Sequence, residues 1–166
     1  MYELISFNGK HYPALQAEGF AAQFAIPFAL KIIGPNKTGF DIGCNNETWK
    51  FPGAMAIDPV LNEYDAYNLP KIRVDYIFSS HCLEHLPDWV GALDIWHEAL
   101  HGGGVLFLYL PHPVQEYWLP HNNRKHRSVL FPDMIAKYLH DRGWQDIFVT
   151  GYDLNCSYYV IARKQT

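Results

Sequence analysis

The sequence is poor in the features that direct a chain to membranes, to nucleic acids or to disulfide-rich folds. Its three cysteines, at positions 44, 82 and 156, show no C-x-x-C spacing, which favours reduced, buried thiols over disulfides or a cysteine zinc site. No apolar run approaches the length of a membrane span, and no secretion signal opens the chain. The net charge is −4, and the basic residues are scattered apart from residues 124–127. We therefore expect a cytoplasmic protein that binds neither membranes nor nucleic acids.

Glycine is also scarce at the turn where a nucleotide-binding protein would need it. Gly39-Phe40-Asp41-Ile42-Gly43 is a short apolar run with an acidic residue and a glycine turn, and Ala56-Ile57-Asp58 is a second run that ends in Asp. Such a pair is typical of an α/β sheet that binds an adenosine-type cofactor. Asn45 and Glu47, however, stand where a pyrophosphate-binding pattern would place further glycines. A cofactor that carries an amino acid and a positive centre therefore fits better than a dinucleotide.

The length and patterning predict a single domain, 1–166, because no linker or change of composition divides it. An N-terminal helical segment, 1–36, is expected to precede an α/β core, 37–166. Apolar periodicity predicts helices at 16–33, 88–101 and 132–143, and strands at 40–43, 54–57, 74–79, 104–110, 145–150 and 157–163. This order indicates a doubly wound, Rossmann-like, mostly parallel sheet with a C-terminal antiparallel hairpin.

From about residue 38 to its end, the chain resembles the class I S-adenosylmethionine-dependent methyltransferases. Segments similar to the family's motifs follow one another in the family's order: 40–44 for the first motif, 56–58 for the ribose-binding strand end, 65–70 for the adenine loop, 75–86 for the fourth strand and its exit, and 100–106 for the turn into the fifth. The resemblance implies methyl transfer from S-adenosyl-L-methionine, with S-adenosyl-L-homocysteine as the product, to a small-molecule acceptor.

One segment is shorter than the resemblance would require. Only fifteen residues, 59–73, lie between the second strand and Val74, where the family has a helix and a strand. A helix-linked crossover takes at least about ten to twelve residues before its strand is counted. We therefore expect the third strand and its helix to be reduced or missing, which would leave the 54–57 strand near a sheet edge.

The resemblance also implies a set of cofactor-binding residues, namely Asp41, Gly43, Cys44, Asn45, Asp58, Asp65, Ala66 and Ser80. Asp58 would accept hydrogen bonds from the ribose hydroxyls, and Asp41 would hold the glycine turn and the cofactor's amino group. Asp65 and Ala66 would face the adenine, and Ser80 would line the methionine part of the pocket. The alternative for each polar residue is a plain turn, cap or strand-end role.

The acceptor side is predicted from the long segment 111–128, which lacks periodicity of its own and is rich in histidine and aromatic residues. A connection of this length is typical either of a lid over a binding site or of a mobile solvent loop. Tyr109, Tyr117 and Trp118 are the candidate acceptor-binding residues. If the acceptor needs a base, His81, His112 and His126 are the candidates by location.

Two other functions are alternatives to the methyltransferase hypothesis. His81-Cys82-Leu83-Glu84-His85 satisfies H-x-x-E-H, a zinc hydrolase signature, which needs both histidines on one helix. Ser79 and Ser80 at the expected strand exit and Pro87 beyond it leave no room for that helix, so we expect no metal. The other alternative is a catalytically silent protein of the same fold that binds or regulates a partner.

Overall fold

The computed structural model describes residues 2–166, and the chain begins there with a β-hairpin. Strands β1 (Leu4–Phe7) and β2 (Lys10–Pro13) pair antiparallel around Asn8-Gly9. Both turn residues have positive φ angles, 48° and 75°, as a two-residue hairpin turn requires. The expectation of a helical segment over 1–36 is therefore wrong for its first part. The Asn-Gly pair was the signal for the hairpin that the helix pattern obscured.

Two helices follow the hairpin, α1 (Ala14–Ala17) and α2 (Ala22–Ile33). Two more lie later in the chain, α3 (Trp89–Ala99) and α4 (Pro132–Asp141). The Asp88 carboxylate caps α3 by accepting a hydrogen bond of 2.9 Å from the Gly91 amide. Helix α3 ends before the predicted residue 101, because Leu100 already pairs with β5. Within residues 2–166, none of the helices combines the length and the apolar character needed to cross a bilayer.

The central sheet has six strands: β3 (Gly39–Ile42), β4 (Met55–Ile57), β5 (Val74–Ser80), β6 (Leu100–Pro111), β7 (Gln145–Val149) and β8 (Ser157–Arg163). Their order is β4-β3-β5-β6-β8-β7. The first four are parallel, and β8 is antiparallel to both β6 and β7. The predicted mostly parallel α/β sheet with a C-terminal antiparallel hairpin is confirmed.

The sheet is covered on both faces, which explains the continuous apolar runs of its strands. Ile77 and Leu106 belong to a buried cluster that includes residues of α3 and α4, among them Trp96. Phe78 and Phe107 belong to the cluster on the other face, which includes residues of α2. The core therefore lies in two layers, and the polar ends of the parallel strands are left free at one edge.

Between β4 and β5 the described residues 58–73 form turns, with neither a helix nor a strand of the main sheet. Strand β4 pairs only with β3 and lies at the edge of the sheet. The predicted loss of the third strand and its helix is confirmed. This truncation leaves the carboxyl ends of β3, β4 and β5 side by side without an additional strand.

Candidate functional site

A cleft of about 310 Å³ opens at the carboxyl ends of β3, β4 and β5. Ligands of open α/β sheets bind at this edge. Its floor comes from the strand ends, and its sides come from residues 16–19 after β2 and from the connection after β6. The residues that line the cleft include Gln16, Gly43, Asn45, Asp58, Ser80, His81, His85, Trp118 and His126.

Asp58 is the best-defined polar group of the cleft. Its Oδ2 accepts a hydrogen bond of 2.7 Å from the Asn45 amide, and its Oδ1 accepts one of 2.9 Å from the Val60 amide. Only 6% of Asp58 is exposed. A carboxylate has about four acceptor positions, so half of them remain for a ligand. Asn45 has a left-handed backbone, with φ 59°, which lets its amide point at this carboxylate.

Gly43 forms the turn that connects β3 to the cleft. Its φ is +82°, and its amide donates a hydrogen bond of 3.0 Å to the Ile57 carbonyl. A Cβ at this position would collide with the Cys82 side chain. Both the backbone angle and the missing space therefore require glycine.

Asp41 and Cys44 lie behind this turn and do not line the cleft. The buried Asp41 carboxylate accepts a hydrogen bond of 2.6 Å from the Phe51 amide and so holds the loop after β3. Burial raises the pKa of Asp41 to about 7, although the Phe51 amide and Lys50 oppose the shift. Burial also raises the pKa of the Cys44 thiol to about 12. Contacts of either residue with a cofactor stay predictions.

Of the residues expected to contact the adenine and methionine parts of the cofactor, Ser80 lines the cleft, whereas Asp65 and Ala66 do not. Ser80 lines the cleft, and its buried hydroxyl has no hydrogen-bond partner among residues 2–166. Asp65 instead accepts hydrogen bonds from the amides of Tyr67 and Asn68, at 2.7 and 2.9 Å. The Ala66 carbonyl accepts one of 2.9 Å from the Trp96 indole. Asp65 and Ala66 do not line the cleft, and their part in adenine binding stays a prediction.

Of the candidate bases, His81 is the one that follows β5 directly into the cleft. Its Nε2 lies 3.0 Å from the Ser157 hydroxyl oxygen, which also accepts a hydrogen bond of 2.9 Å from Gln16 Nε2. Burial first, and then the charges of nearby histidines, hold the pKa of His81 well below its usual value. His81 is therefore a neutral imidazole near pH 7. Gln16, which comes from the N-terminal segment, was not expected at the site.

Three predicted residues lie away from the cleft lining. His112 Nδ1 accepts a hydrogen bond of 3.0 Å from the Val114 amide, and burial lowers the pKa of His112. The Tyr109 hydroxyl donates a hydrogen bond of 2.8 Å to Asp153. Tyr117 stacks on Tyr12, with ring centroids 5.3 Å apart. These contacts do not bring the three residues to the cleft.

The connection after β6 is packed into the fold, although the sequence suggested a lid or a mobile loop. Trp118 and His126, which line the cleft, are both buried, and their rings stack 5.7 Å apart. The amides of Arg127 and Ser128 donate hydrogen bonds of 2.8 and 3.0 Å to the Glu84 carbonyl. The connection therefore forms a fixed wall of the cleft in this structure.

That wall brings His126 to the H-x-x-E-H segment. His81 has a left-handed backbone, with φ 48°, and Leu83–His85 is a short 3-10 helix. His81 and His85 therefore do not share a regular helix, as the zinc hydrolase signature would require. Around Glu84 Oε1 lie His85 Nε2 at 3.5 Å, and His126 Nε2 and His81 Nδ1 each at 4.0 Å. The spacing in the sequence could not reveal this cluster, because one member lies far along the chain.

Comparisons with known proteins agree with this fold. The family model described as a methyltransferase domain matches residues 17–148. A SAM-dependent methyltransferase of Archaeoglobus fulgidus is 16% identical, with 90% of this chain and 98% of that chain covered and a TM-score of 0.67. No curated protein sequence matches the chain.

Two further solved structures are similar. The 1,6-didemethyltoxoflavin-N1-methyltransferase of Burkholderia thailandensis, solved with 1,6-didemethyltoxoflavin and S-adenosylhomocysteine, is 13% identical; 92% of this chain and 82% of that chain are covered, with a TM-score of 0.68. The N-methyltransferase NodS of Bradyrhizobium japonicum, solved with S-adenosylhomocysteine, is 15% identical. The match covers 92% of this chain and 89% of that chain, with a TM-score of 0.63. Identities this low establish the shared fold only. Because the family model spans most of the chain, the chain belongs to the methyltransferase domain family, with the fold of the class I S-adenosylmethionine-dependent methyltransferases.

Proposed function

We propose that this chain is an enzyme that binds S-adenosyl-L-methionine in the cleft and transfers its methyl group to a small-molecule acceptor. The observation that carries the proposal is the Asp58 carboxylate, held at the cleft by the Asn45 and Val60 amides with acceptor positions to spare. A carboxylate at the end of the second strand suits two neighbouring ribose hydroxyls, because it can accept both hydrogen bonds at once.

The rest of the cleft fits an amino-acid-bearing cofactor. The Ser80 hydroxyl and Gln16 Oε1 are buried without hydrogen-bond partners among residues 2–166, and both residues line the cleft. Buried polar atoms are rarely left unpaired in a native protein, so these two predict a polar ligand. An ammonium group is a donor that suits unpaired oxygens of this kind, and the Gly43 turn lets the backbone approach a ligand closely.

Glu47 does not oppose this assignment. Its carboxylate is exposed and forms an ion pair of 2.6 Å with Lys50, and it does not line the cleft. The sequence pattern suggested that Glu47 would repel a phosphate at the turn. Because Glu47 is exposed, paired with Lys50 and outside the cleft lining, we expect its charge to have little bearing on a cofactor in the cleft.

The cofactor supplies a methyl group on a positively charged sulfur, and the chain's own residues have to position the acceptor and exclude water. In-line methyl displacement depends mainly on such positioning, so no fixed catalytic triad is required. The buried Trp118 and His81 form part of the wall that would exclude water. His81 is also the base that we propose for an acceptor that must lose a proton.

The size of the cleft supports a small acceptor. Its volume of about 310 Å³ is at the lower end of the range for small-molecule pockets, roughly 300–1,000 Å³. The similar enzyme from Burkholderia thailandensis was solved with a small heterocyclic compound, which is consistent with this proposal.

Calorimetric titration with S-adenosylhomocysteine tests the proposal. We expect a dissociation constant of about 1 to 100 μM, equivalent to roughly 5.5 to 8.2 kcal/mol of binding free energy. The same titration with adenosine alone reports how much affinity the amino-acid part adds. Absence of heat and of any thermal shift at millimolar S-adenosylhomocysteine would refute the proposed enzyme.

A further inference from the structure

Glu84 is a buried carboxylate without a hydrogen-bond donor. Only 1% of the residue is exposed, and neither side-chain oxygen has a hydrogen-bond partner among residues 2–166. Such a group is costly to bury unless a cation or a proton donor satisfies it.

Three imidazole nitrogens surround this carboxylate. His85 Nε2, His126 Nε2 and His81 Nδ1 lie 3.5, 4.0 and 4.0 Å from Glu84 Oε1. Candidate ligand atoms of Glu84, His85 and His126 all lie within 4.8 Å of one another. His85 Nδ1 lies 2.9 Å from the Lys125 carbonyl, which can only accept a hydrogen bond. The proton of a neutral His85 is therefore on Nδ1, and its Nε2 lone pair is free for a ligand. A carbonyl that orients the ligating imidazole in this way is typical of metal sites.

We propose that Glu84, His85 and His126 bind a divalent cation, with zinc as the best match. Two imidazoles and one carboxylate are a ligand set of catalytic zinc sites, which keep a fourth position open. Zinc bonds of about 2.0–2.2 Å place tetrahedral ligands about 3.4 Å apart, so side-chain shifts of roughly 1 Å would complete the site. The triad differs from the H-x-x-E-H pattern because it includes His126, which the pattern lacks. His81 Nδ1 also lies 4.0 Å from Glu84 Oε1, but the cluster of mutually close ligand atoms consists of Glu84, His85 and His126.

The backbone holds the two parts of the site together. The Arg127 and Ser128 amides donate to the Glu84 carbonyl, and the Lys125 carbonyl contacts His85. These contacts lie on both sides of His126 in the sequence. The ligands are therefore attached to two segments that are already joined, which lowers the cost of assembling them around an ion.

The open position of the ion would face the cleft, because His85 and His126 both line it. Resting on the proposed function, we infer that the acceptor carries a hydroxyl group which this cation binds. A bound cation makes a hydroxyl easier to deprotonate. The hydroxyl proton would pass to His81, the base of the proposed function, while the new C–O bond forms, the S–C bond breaks and the sulfur keeps its electron pair as S-adenosylhomocysteine.

Metal titration of the untagged, chelator-treated protein tests the site without any need for turnover. Zinc should bind at one ion per chain and raise the melting temperature. Cobalt(II) should give visible d–d absorption of a four- or five-coordinate site. His126→Gln and Glu84→Gln should each weaken zinc binding by about 100-fold or more, because each removes a ligand. His140→Gln is the matched control, since His140 is exposed on α4, and it should bind zinc like the parent.

The metal titration and the cofactor titration test the metal site and the proposed function independently. Near-ultraviolet circular dichroism establishes that each variant is folded, and Glu84→Gln, which preserves shape, keeps the test informative if His126→Gln unfolds. A parent protein that binds no zinc, or zinc binding that survives both substitutions, would overturn the metal site. S-adenosylhomocysteine titration of the same metal-free proteins reports on the cofactor cleft separately. A metal-bound protein that transfers methyl only to amines or carbons would overturn the hydroxyl acceptor.

Discussion

Replacing Asp58 separates a ligand-binding role from a turn-stabilising role, because the structure gives this carboxylate both. Its two oxygens accept hydrogen bonds from the Asn45 and Val60 amides, and its remaining acceptor positions are available at the cleft. Asp58→Ala should weaken S-adenosylhomocysteine binding by about 1.5–3 kcal/mol, or roughly 10- to 150-fold, the value for hydrogen bonds to a charged group.

The same substitution should also destabilise the fold. It leaves two backbone amides without their acceptor, at about 1–3 kcal/mol each where they are desolvated, so we expect a loss of about 2–6 kcal/mol in unfolding free energy. Asp58→Asn keeps one acceptor oxygen and should lose less stability than Asp58→Ala. Because the Asn side chain lacks the charge and presents an NH₂ group, it should still weaken the ligand by at least about 1 kcal/mol.

Calorimetry and urea unfolding measure the two effects on the same samples. Asp88→Ala is the control, since Asp88 caps α3 outside the cleft and its loss should cost about 1 kcal/mol of stability without changing ligand affinity. A folded Asp58→Ala variant that binds S-adenosylhomocysteine within about two-fold of a parent that itself binds would refute the ligand-binding role of Asp58. An Asp88→Ala variant that loses as much ligand affinity as Asp58→Ala would refute it equally.

Three further predictions test the surroundings of the cleft. Gly43→Ala should destabilise the protein by at least about 1–2 kcal/mol because of the left-handed backbone at this position alone. Adding Cys82→Gly should remove the collision of the new methyl group with Cys82 but not the backbone strain. The unfolding free energies of the two single variants and the double variant show whether the substitutions are coupled. Asp41 has a pKa of about 7 in the folded protein against a usual value of 3.8. The stability that its protonated form contributes is therefore fully present below pH 3.8 and is lost as the pH rises through 7. The loss in unfolding free energy amounts to up to about 4 kcal/mol. Asp41→Asn keeps an acceptor for the Phe51 amide and should therefore gain stability relative to the parent between pH 5 and 8; a difference independent of pH would contradict the assigned shift. Trp118→Ala should cost about 3–5 kcal/mol of unfolding free energy because Trp118 is buried in the wall, whereas a loss below about 0.5 kcal/mol would indicate a mobile lid instead.

Much of the architecture followed from local sequence patterns. Short apolar runs predicted the strands of the sheet, and a count of the residues from 59 to 73 predicted the missing third strand, because a crossover has a minimum length. The N-terminal hairpin was also encoded locally, in Asn8-Gly9. It was missed because the apolar pattern of the following helix dominated the segment.

The tertiary structure decided which polar residues reach the cleft. Asp41 and Asp58 occupy similar positions near the ends of neighbouring strands, yet Asp58 lines the cleft and Asp41 is turned into the loop behind it. The sequence places Asp41 inside its strand and Asp58 just after its strand, but which of the two side chains faces the cleft depends on how the strands pack. Gln16 likewise reaches the cleft only because the N-terminal segment folds over the sheet edge.

The sequence by itself determined the succession of strands and helices along the chain and the acidic strand ends, because apolar periodicity, glycine turns and chain length act within short segments. Only the tertiary structure decided that Glu84 and His85 meet His126. That approach depends on the path of the connection after β6, which Trp118 anchors by burial and which backbone hydrogen bonds join to Glu84. Long-range packing of this kind leaves no periodic trace in the residues it brings together, so the triad could be recognised only in the folded chain.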